Sequence, residues 1–271
     1  MSADDGESGG PRIQSLARAD AILTAVMKHD GPAPLSVVAD AVGLNKTTVF
    51  NLAESLVALG FLARTRSPKG YVVGLRCLEL GRHVSSRLPV LEASMPAMFD
   101  LCRTTRETVN LALPYLREAI LVNCVKRGQG VRGTAYAGAK SSYHSSACGK
   151  ALFAFFPEER RRWHYEHVGL ERVTEFTICD PELLEAQLAD IRAKGFATEV
   201  QENELGAACI GIPIFGPFNE IVAAISVAGV LQRMTPQRIE EIRLELARHT
   251  KAISQTLAAH AFLKRATGKS Y

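Results

Sequence analysis

The sequence lacks the features of a membrane-spanning, secreted or metal-binding protein. Its 271 residues include no apolar run near the roughly 20 residues that a helix needs to cross a bilayer. The start, MSADDGESGGPR, is acidic and rich in Gly and Ser, unlike a signal peptide. The six cysteines stand singly, without a C-x-x-C pair or histidines at zinc-ligand spacing. We therefore expect a cytoplasmic protein with reduced thiols and with no metal, cofactor or membrane partner.

Acidic residues are scarce in the N-terminal third of the chain, apart from the acidic start. The whole sequence carries a formal net charge of +4, which alone indicates little. Residues 11–90, however, hold ten Lys and Arg but only five Asp and Glu. Such a local excess of positive charge is the expected footprint of a module that contacts phosphates. The length favours two domains, preceded by a predicted disordered tail at residues 1–11.

A helix-turn-helix pattern occupies residues 35–54. Residues 13–28 show apolar side chains at helical spacing and are followed by DGPAP, which breaks a helix. Ser36 is predicted to cap the short helix VVADAV, and Gly43 to form the turn after it, because a positive φ costs glycine little. Asn45 is predicted to cap the second helix directly after that turn. The alternative is a helical hairpin that binds no nucleic acid.

A basic hairpin is predicted to follow the two helices. The segments FLARTR, SPKG and YVVGL read as a strand, a turn and a second strand. Ser-Pro-Lys-Gly predicts a type I turn with proline in its second position. Arg64 and Arg66 lie on one arm and Lys69 lies at the tip, with no acidic residue in the hairpin. We interpret it as the wing of a winged helix, although such charges can also serve solubility alone.

The exposed side of the second helix and the hairpin supply the candidate DNA contacts. The N-terminal turns of a recognition helix enter the major groove, so Lys46, Thr47 and Thr48 are predicted to reach phosphates. Asn51 is predicted to pair with adenine. Phe50 is predicted to pack on a thymine methyl group or, alternatively, against the first helix in the core. The complete candidate set is Lys46, Thr47, Thr48, Phe50, Asn51, Arg64, Arg66 and Lys69.

These segments resemble a known family. The runs QSLARADAIL, LSVVADAVGLNKTTVFNLAESLVALGFL and GYVVGLRCLELG are similar to the N-terminal domain of the IclR family of bacterial transcriptional regulators. The resemblance continues through YHSSACGKALFAFFP and IRAKGFATEVQENELGAACIGIPIF, and it covers roughly residues 13–260 in the same order. The family often has a basic residue at the place of Asn51 and proline or serine near Asn45. The resemblance therefore does not imply a particular operator sequence.

The predicted architecture is α+β. We expect a winged helix-turn-helix domain at 12–74, a linker helix at 75–89 that ends at Pro89, and a further domain at 90–264. In that domain the runs ETVNLALPYL, EAILVNCVK, AACIGIPIF and IVAAISVAG predict strands of a mixed sheet flanked by helices. The run EERRRWHYEH predicts a solvated helix face. The resemblance implies that this domain is a GAF/PAS-like effector-binding domain.

The resemblance also implies a pocket for a small carboxylate or aromatic acid beside the loop that opens the HSSACGKA helix. Backbone N–H groups at this helix start are expected to bind an anion. The candidate pocket residues are Val131, Ser146, Ala147, Glu199, Cys209 and Ser226. Cys209 and Ser226 are alternatively ordinary strand residues. Glu199 beside an anionic ligand is unfavourable unless it is protonated or paired.

Two other motifs suggest enzymatic alternatives. The run SSACGKA fails the Walker pattern at both ends, because His144 stands in place of the first glycine and Ala151 follows the lysine. His144 and Cys148 stand four residues apart, a spacing that would suit a base and a nucleophile. We nevertheless expect no enzyme. We expect a ligand-responsive regulator that binds a DNA operator of a catabolic operon as a dimer or a dimer of dimers; the rivals are this Cys/His enzyme and a ligand-blind DNA-binding protein.

Overall fold

The computed structural model describes residues 13–126 and 135–267, with side chains described as far as residue 262. The chain divides into two compact units, one ending at Arg87 and the other beginning at Leu88. The predicted disordered tail lies outside the described residues. No helix within the described ranges is long and apolar enough to span a membrane.

The first unit is a three-helix bundle followed by a hairpin and a further helix. Its elements are α1 (Gln14–Lys28), α2 (Leu35–Val42), α3 (Lys46–Ala58), β1 (Leu62–Arg66), β2 (Lys69–Val73) and α4 (Leu75–Ser85). Ile22, Val38 and Val49 bring one buried side chain from each of α1, α2 and α3 into a common core. Leu62 and Tyr71 of the antiparallel hairpin complete that core, so the hairpin is fixed to the helices by apolar packing.

The local signals of the helix-turn-helix act largely as predicted. Gly43 ends α2 with a φ of 65°, and the side chain of Asn45 accepts the N–H of Thr48 at 2.8 Å. The prediction for Ser36 is wrong: α2 begins two residues earlier than predicted, with Pro34 in the cap position and no side-chain cap. The fixed φ of proline suits the entry to a helix without a capping side chain.

The hairpin turn differs from the predicted one. The register pairs Arg66 with Lys69, so Ser67 and Pro68 alone form the loop. Pro68 therefore occupies the third position of the turn, which a type I turn disfavours. The type I prediction is wrong, and Gly70 lies within β2.

The second unit is a sheet covered by helices on both faces. Its helices are α5 (Pro89–Thr105), α6 (Ala147–Phe153), α7 (Glu158–His167), α8 (Pro181–Lys194) and α9 (Pro236–Thr267). Its strands are β3 (Thr108–Tyr115), β4 (Glu118–Val125), β5 (Lys140–Ser141), β6 (Ala197–Val200), β7 (Ala207–Phe215) and β8 (Ile221–Val230). The strand order is β5-β4-β3-β8-β7-β6, and each pairing between these strands is antiparallel.

Alternation along the central strands assigns different residues to the two faces of the sheet. Leu111 and Val227 point into the large apolar core that contains side chains of α5 and α9. Ala112 and Ala224 belong to the second apolar core, which contains α6 and α8. Small side chains at these positions let α6 pack close to the sheet, because successive strand residues point to opposite faces.

The α+β class with an N-terminal helix-turn-helix is confirmed. The described pairings differ from the predicted mixed sheet in being antiparallel throughout. Pro89 begins α5 and does not end α4, since proline is favoured in the first position of a helix. The α7 helix also differs from a merely solvated one, because Arg161 and His164 are buried.

Candidate DNA-binding surface and effector cavity

The predicted recognition residues lie on the outer side of α3. Lys46, Thr47, Phe50 and Asn51 are exposed, whereas Thr48 is partly covered. Phe50 is 43% exposed, which contradicts the alternative that it packs in the core. This helix therefore presents adjacent polar, cationic and aromatic groups to solvent at its N-terminal end.

Two strands of the hairpin carry its basic residues in different electrostatic settings. Arg64 Nε donates to Glu54 Oε1 at 2.7 Å, and its guanidinium lies 5.8 Å from the ring centre of Phe50. The hydrogen bond from Arg64 holds the pKa of Glu54 below its usual value. Arg66 and Lys69 are exposed and form no ion pair with another described residue. Arg64 thus connects the hairpin to α3, while the charges of Arg66 and Lys69 face solvent.

A cavity of about 180 Å³ lies within the second unit, on the sheet face that carries α6. For comparison, an engineered cavity of about 150 Å³ in another protein accommodates benzene. The predicted pocket residues that line this cavity are Ser146, Ala147, Glu199, Cys209 and Ser226. Val131 lies outside the described residues. The cavity is therefore of a size for one small ring or a short chain.

The start of α6 forms one wall of the cavity because it rests on the backbone of β7. A Cβ atom at Gly211 would lie 2.6 Å from the carbonyl oxygen of Ala147, so a side chain there would displace the helix. Ser146 caps the helix: its hydroxyl accepts the N–H of Gly149 at 2.9 Å and donates to the carbonyl of Ser142 at 2.8 Å.

These contacts change the predicted role of Ser146. Its N–H is donated to the carbonyl oxygen of Ser142 at 3.4 Å, and its hydroxyl is engaged in the cap. Ser146 therefore holds the shape of the cavity wall, and its N–H is not spare for an anion. The N–H of Ala147 forms no hydrogen bond with another described residue.

Glu199 lies on β6 beside Cys209 of β7, and both side chains line the cavity. Burial raises the pKa of the Glu199 carboxyl, against smaller opposing effects that include the N–H of Asn203, 3.1 Å from Oε1. Burial also raises the pKa of the Cys209 thiol, and the neighbouring Glu199 adds to that rise. A raised pKa favours the neutral acid, and in that form Glu199 would not repel an anionic ligand.

Two ion pairs near the cavity were not foreseen from the sequence. Lys150 of α6 is fully buried, and its Nζ lies 2.6 Å from Glu202 Oε1. Burial lowers the pKa of Lys150, while the carboxylate of Glu202 opposes that fall. At the cavity wall, Arg233 binds both oxygens of Glu107 at 2.6 and 2.7 Å. The sequence contains one signal for the first of these pairs. Lys150 stands among small and apolar residues in CGKALF, and such a setting favours burial of the lysine.

The residues of the Cys/His alternative are poorly suited to catalysis. Burial raises the pKa of the Cys148 thiol to about 12, and its sulfur lies 3.7 Å from the carbonyl oxygen of Ala224. His144 Nε2 lies 2.9 Å from the carbonyl oxygen of Glu171, and burial lowers the pKa of its ring. A nucleophilic cysteine requires an accessible thiolate, which this environment disfavours. Among the described residues there is also no cluster of side chains suited to a metal ion.

The exposed recognition helix with its basic hairpin, followed by a sheet domain with a cavity, defines a DNA-binding transcriptional regulator. Residues 15–66 match the model of the IclR helix-turn-helix domain, and residues 82–255 match that of the C-terminal domain of the bacterial transcriptional regulator IclR. The chain belongs to the IclR family.

Three similar proteins illustrate this relationship. The HTH-type transcriptional regulator KipR of Bacillus subtilis is 33% identical over 78% of this chain and 84% of its own. The structure of the Thermotoga maritima IclR has a TM-score of 0.73 at 30% identity, covering 90% of this chain and 99% of its own. An IclR homologue from Microbacterium hydrocarbonoxydans, complexed with 4-hydroxybenzoate, has a TM-score of 0.78 at 24% identity, with coverage of 90% and 99%.

Proposed function

We propose that this regulator reads its operator with the outer side of α3, while the β1–β2 hairpin lies along the DNA backbone. This proposal rests on the difference between the two faces of α3. Val49 and Ala53 are buried on one face, whereas Phe50 and Asn51 are exposed on the other. Asn51 supplies the amide that pairs with adenine, and Phe50 supplies an apolar surface for a thymine methyl group.

Lys46, Arg66 and Lys69 contribute the phosphate contacts in this proposal. Their side chains are exposed, and none forms an ion pair with another residue of the described ranges. Arg64 has a different role, because its hydrogen bond to Glu54 fixes the hairpin against α3. The carboxylate of Glu54 also offsets much of the positive charge of Arg64. Phosphate contacts set the position of the protein on the duplex but do not read its sequence.

A dimer, or a dimer of dimers, is the proposed binding form. One winged helix contacts few base pairs, whereas two related by a two-fold axis read a pseudo-palindromic operator at a fixed half-site spacing. Selection of binding sites from random duplexes by the full chain tests this. We expect inverted repeats whose centres are separated by about 10–10.5 base pairs or a multiple of that spacing. Selected sites without an inverted repeat would contradict the symmetric arrangement.

We further propose that a small carboxylate or aromatic acid occupies the cavity of the second unit, and that the regulated operon serves catabolism of such a compound. The cavity volume of about 180 Å³ suits one ring. Glu199, Cys209 and Ser226 supply neutral hydrogen-bonding groups at its wall when Glu199 is protonated. The complex of the Microbacterium relative with 4-hydroxybenzoate supports this ligand class.

Such a ligand alters DNA binding only if its affinity differs between the conformations of the protein. A melting-temperature screen of the full chain against small aromatic and aliphatic acids tests binding, because a ligand of the folded state stabilises it by about 2.7 kcal/mol at a hundred times its Kd. Each stabilising acid is then added to a gel-shift titration with the selected operator. An acid that raises the melting temperature but leaves operator affinity unchanged would contradict an effector role.

A further inference from the structure

One polar side chain on the cavity wall has a hydrogen-bond acceptor that is unpaired among the described residues. Asn110 of β3 lines the cavity and is 7% exposed. Its Oδ1 is buried and has no hydrogen-bond partner among the residues that the structure describes. Buried polar atoms in folded proteins are almost always paired, so an unpaired one on the wall of a ligand cavity points to a partner in the ligand.

Other buried atoms without a partner do not share this setting. Among the described residues they are Ser94 Oγ, Gln187 Oε1 and Glu202 Oε2, and none of these residues lines the cavity. Asn110 thus combines burial, an unpartnered acceptor and a position on the cavity wall. No other described residue has all three features.

The sheet explains why Asn110 points into the cavity. Its neighbours in the chain, Val109 and Leu111, point into the apolar core beneath α5 and α9, so the residue between them faces the other side. The register places Asn110 directly beside Ser226 of β8, and Ser226 also lines the cavity. The amide therefore belongs to the cavity floor, next to a hydroxyl on the adjacent strand.

We propose that Asn110 is a specificity-determining residue, which accepts a hydrogen bond from a hydroxyl group of the ligand. The proposal rests on the effector function proposed above and narrows its ligand class to small acids that also carry a hydroxyl group. A neutral amide oxygen matches a neutral donor, whereas a buried ammonium group would require a charged partner. An otherwise similar acid without the hydroxyl leaves the buried oxygen unpaired and is disfavoured.

The experiment measures the Kd of benzoate, 3-hydroxybenzoate and 4-hydroxybenzoate for three full-length proteins by calorimetry. For the natural chain we expect one hydroxybenzoate to bind about tenfold more tightly than benzoate. In Asn110→Leu, which has similar volume but no acceptor, this preference disappears while benzoate still binds. Thr108→Val is the matched control: Thr108 lies on the same strand and lines the same cavity, and its substitution is expected to preserve the preference.

Each outcome separates the proposal from the function on which it rests. Binding of benzoate and both hydroxybenzoates with equal affinity, or an unchanged preference in Asn110→Leu, overturns the role of Asn110 but leaves the cavity as an effector site. Loss of the preference in Thr108→Val alone moves the contact to Thr108 and also overturns it. Failure of all three acids to bind the natural chain overturns the aromatic-acid function together with the role of Asn110. Should Asn110→Leu bind nothing, Asn110→Ala decides: benzoate binding without a preference supports the proposal, and no binding overturns it.

Discussion

The two units of this regulator place their polar residues in opposite environments. In the first unit the candidate functional groups, such as Asn51 and Lys69, are exposed to solvent. In the second unit Asn110 and Glu199 are buried at the cavity wall, and Lys150 is buried within α6. An exposed group can be removed with little effect on folding, whereas removal of a buried partner leaves another polar group unsatisfied. Substitutions on the exposed surface of the first unit can therefore change function with little change in stability. Substitutions of the buried groups of the second unit are expected to change stability as well.

The largest expected effect comes from the buried ion pair of the second unit. Lys150→Met removes the only cation within hydrogen-bonding distance of Glu202 in the described ranges and leaves its carboxylate buried. We expect a loss of about 3–5 kcal/mol in the free energy of unfolding, measured by urea denaturation.

Two further variants test the cause of that loss. Lys140→Met removes a lysine that is 62% exposed and pairs with Glu118 at 3.4 Å, and it is expected to cost less than about 1 kcal/mol. The double variant Lys150→Met, Glu202→Gln removes both charges and is expected to recover much of the stability. Equal losses in the single and double variants would show that packing, and not the unpaired carboxylate, is responsible.

A second prediction concerns the loss of stability at acidic pH, to which the two units should contribute differently. His164 of α7 is buried against Tyr143 and Phe153. Burial, together with smaller effects of the nearby His144, Arg160 and Arg117, lowers its pKa from 6.5 to about 4. The folded protein thus holds His164 neutral, and this contribution to stability is present above pH 6.5 and is lost as the pH falls to about 4.

The expected loss between these pH values is at most about 3 kcal/mol in the free energy of unfolding. His164→Leu should flatten the dependence of stability on pH over that window, as measured by urea denaturation at each pH. His29 of the first unit is only partly covered, so His29→Leu should leave the slope unchanged. A slope that is the same in the natural chain and in His164→Leu would assign the acid sensitivity to other groups.

The contrast between the units also explains what the sequence predicts well. The exposed positions of α3 follow from the helical period, and the caps at Gly43 and Asn45 depend on residues within one turn. The central strands likewise follow from their apolar runs. These features are predictable because each depends on neighbours close in the chain.

The buried polar groups of the second unit depend instead on partners far apart in the chain. Lys150 and Glu202 are separated by 52 positions, and Glu107 and Arg233 by 126. The shape of the α6 start depends on the lack of a side chain at Gly211 of another element. Sequence patterns locate such residues on strands or helices, but they do not pair them. The resemblance to a family supplied Ser146, Ala147, Glu199, Cys209 and Ser226 of the cavity wall, yet it did not supply Asn110.

On the DNA-binding surface the largest expected effect is on sequence recognition. Asn51→Ala is expected to weaken binding to the selected operator by about 1–3 kcal/mol and to relax one base position. Ser55→Ala is the control, because Ser55 lies one turn later and its hydroxyl already donates to the carbonyl of Asn51 at 2.9 Å. Binding-site selection with both variants gives the comparison. Identical base preferences for the natural chain and Asn51→Ala would remove Asn51 from base recognition.

The smallest expected effect is a change in salt dependence at the hairpin tip. Lys69 has no ion pair with another described residue, so Lys69→Ala removes one full charge from the proposed backbone contact. We expect weaker binding to all duplexes alike and a decrease of about 0.9 in the slope of log K against log salt, because one fewer counterion is released. Gel-shift titrations over a range of salt concentrations measure this slope.

The control for Lys69→Ala removes the same charge from the same unit at another place. Lys28 is exposed at the end of α1, outside both α3 and the hairpin. If Lys69 contacts a phosphate, Lys28→Ala should keep the slope of log K against log salt that the natural chain has. If both substitutions lower the slope equally, Lys69 acts only through the net charge of the first unit. The first unit then has no defined contact with the DNA backbone at Lys69.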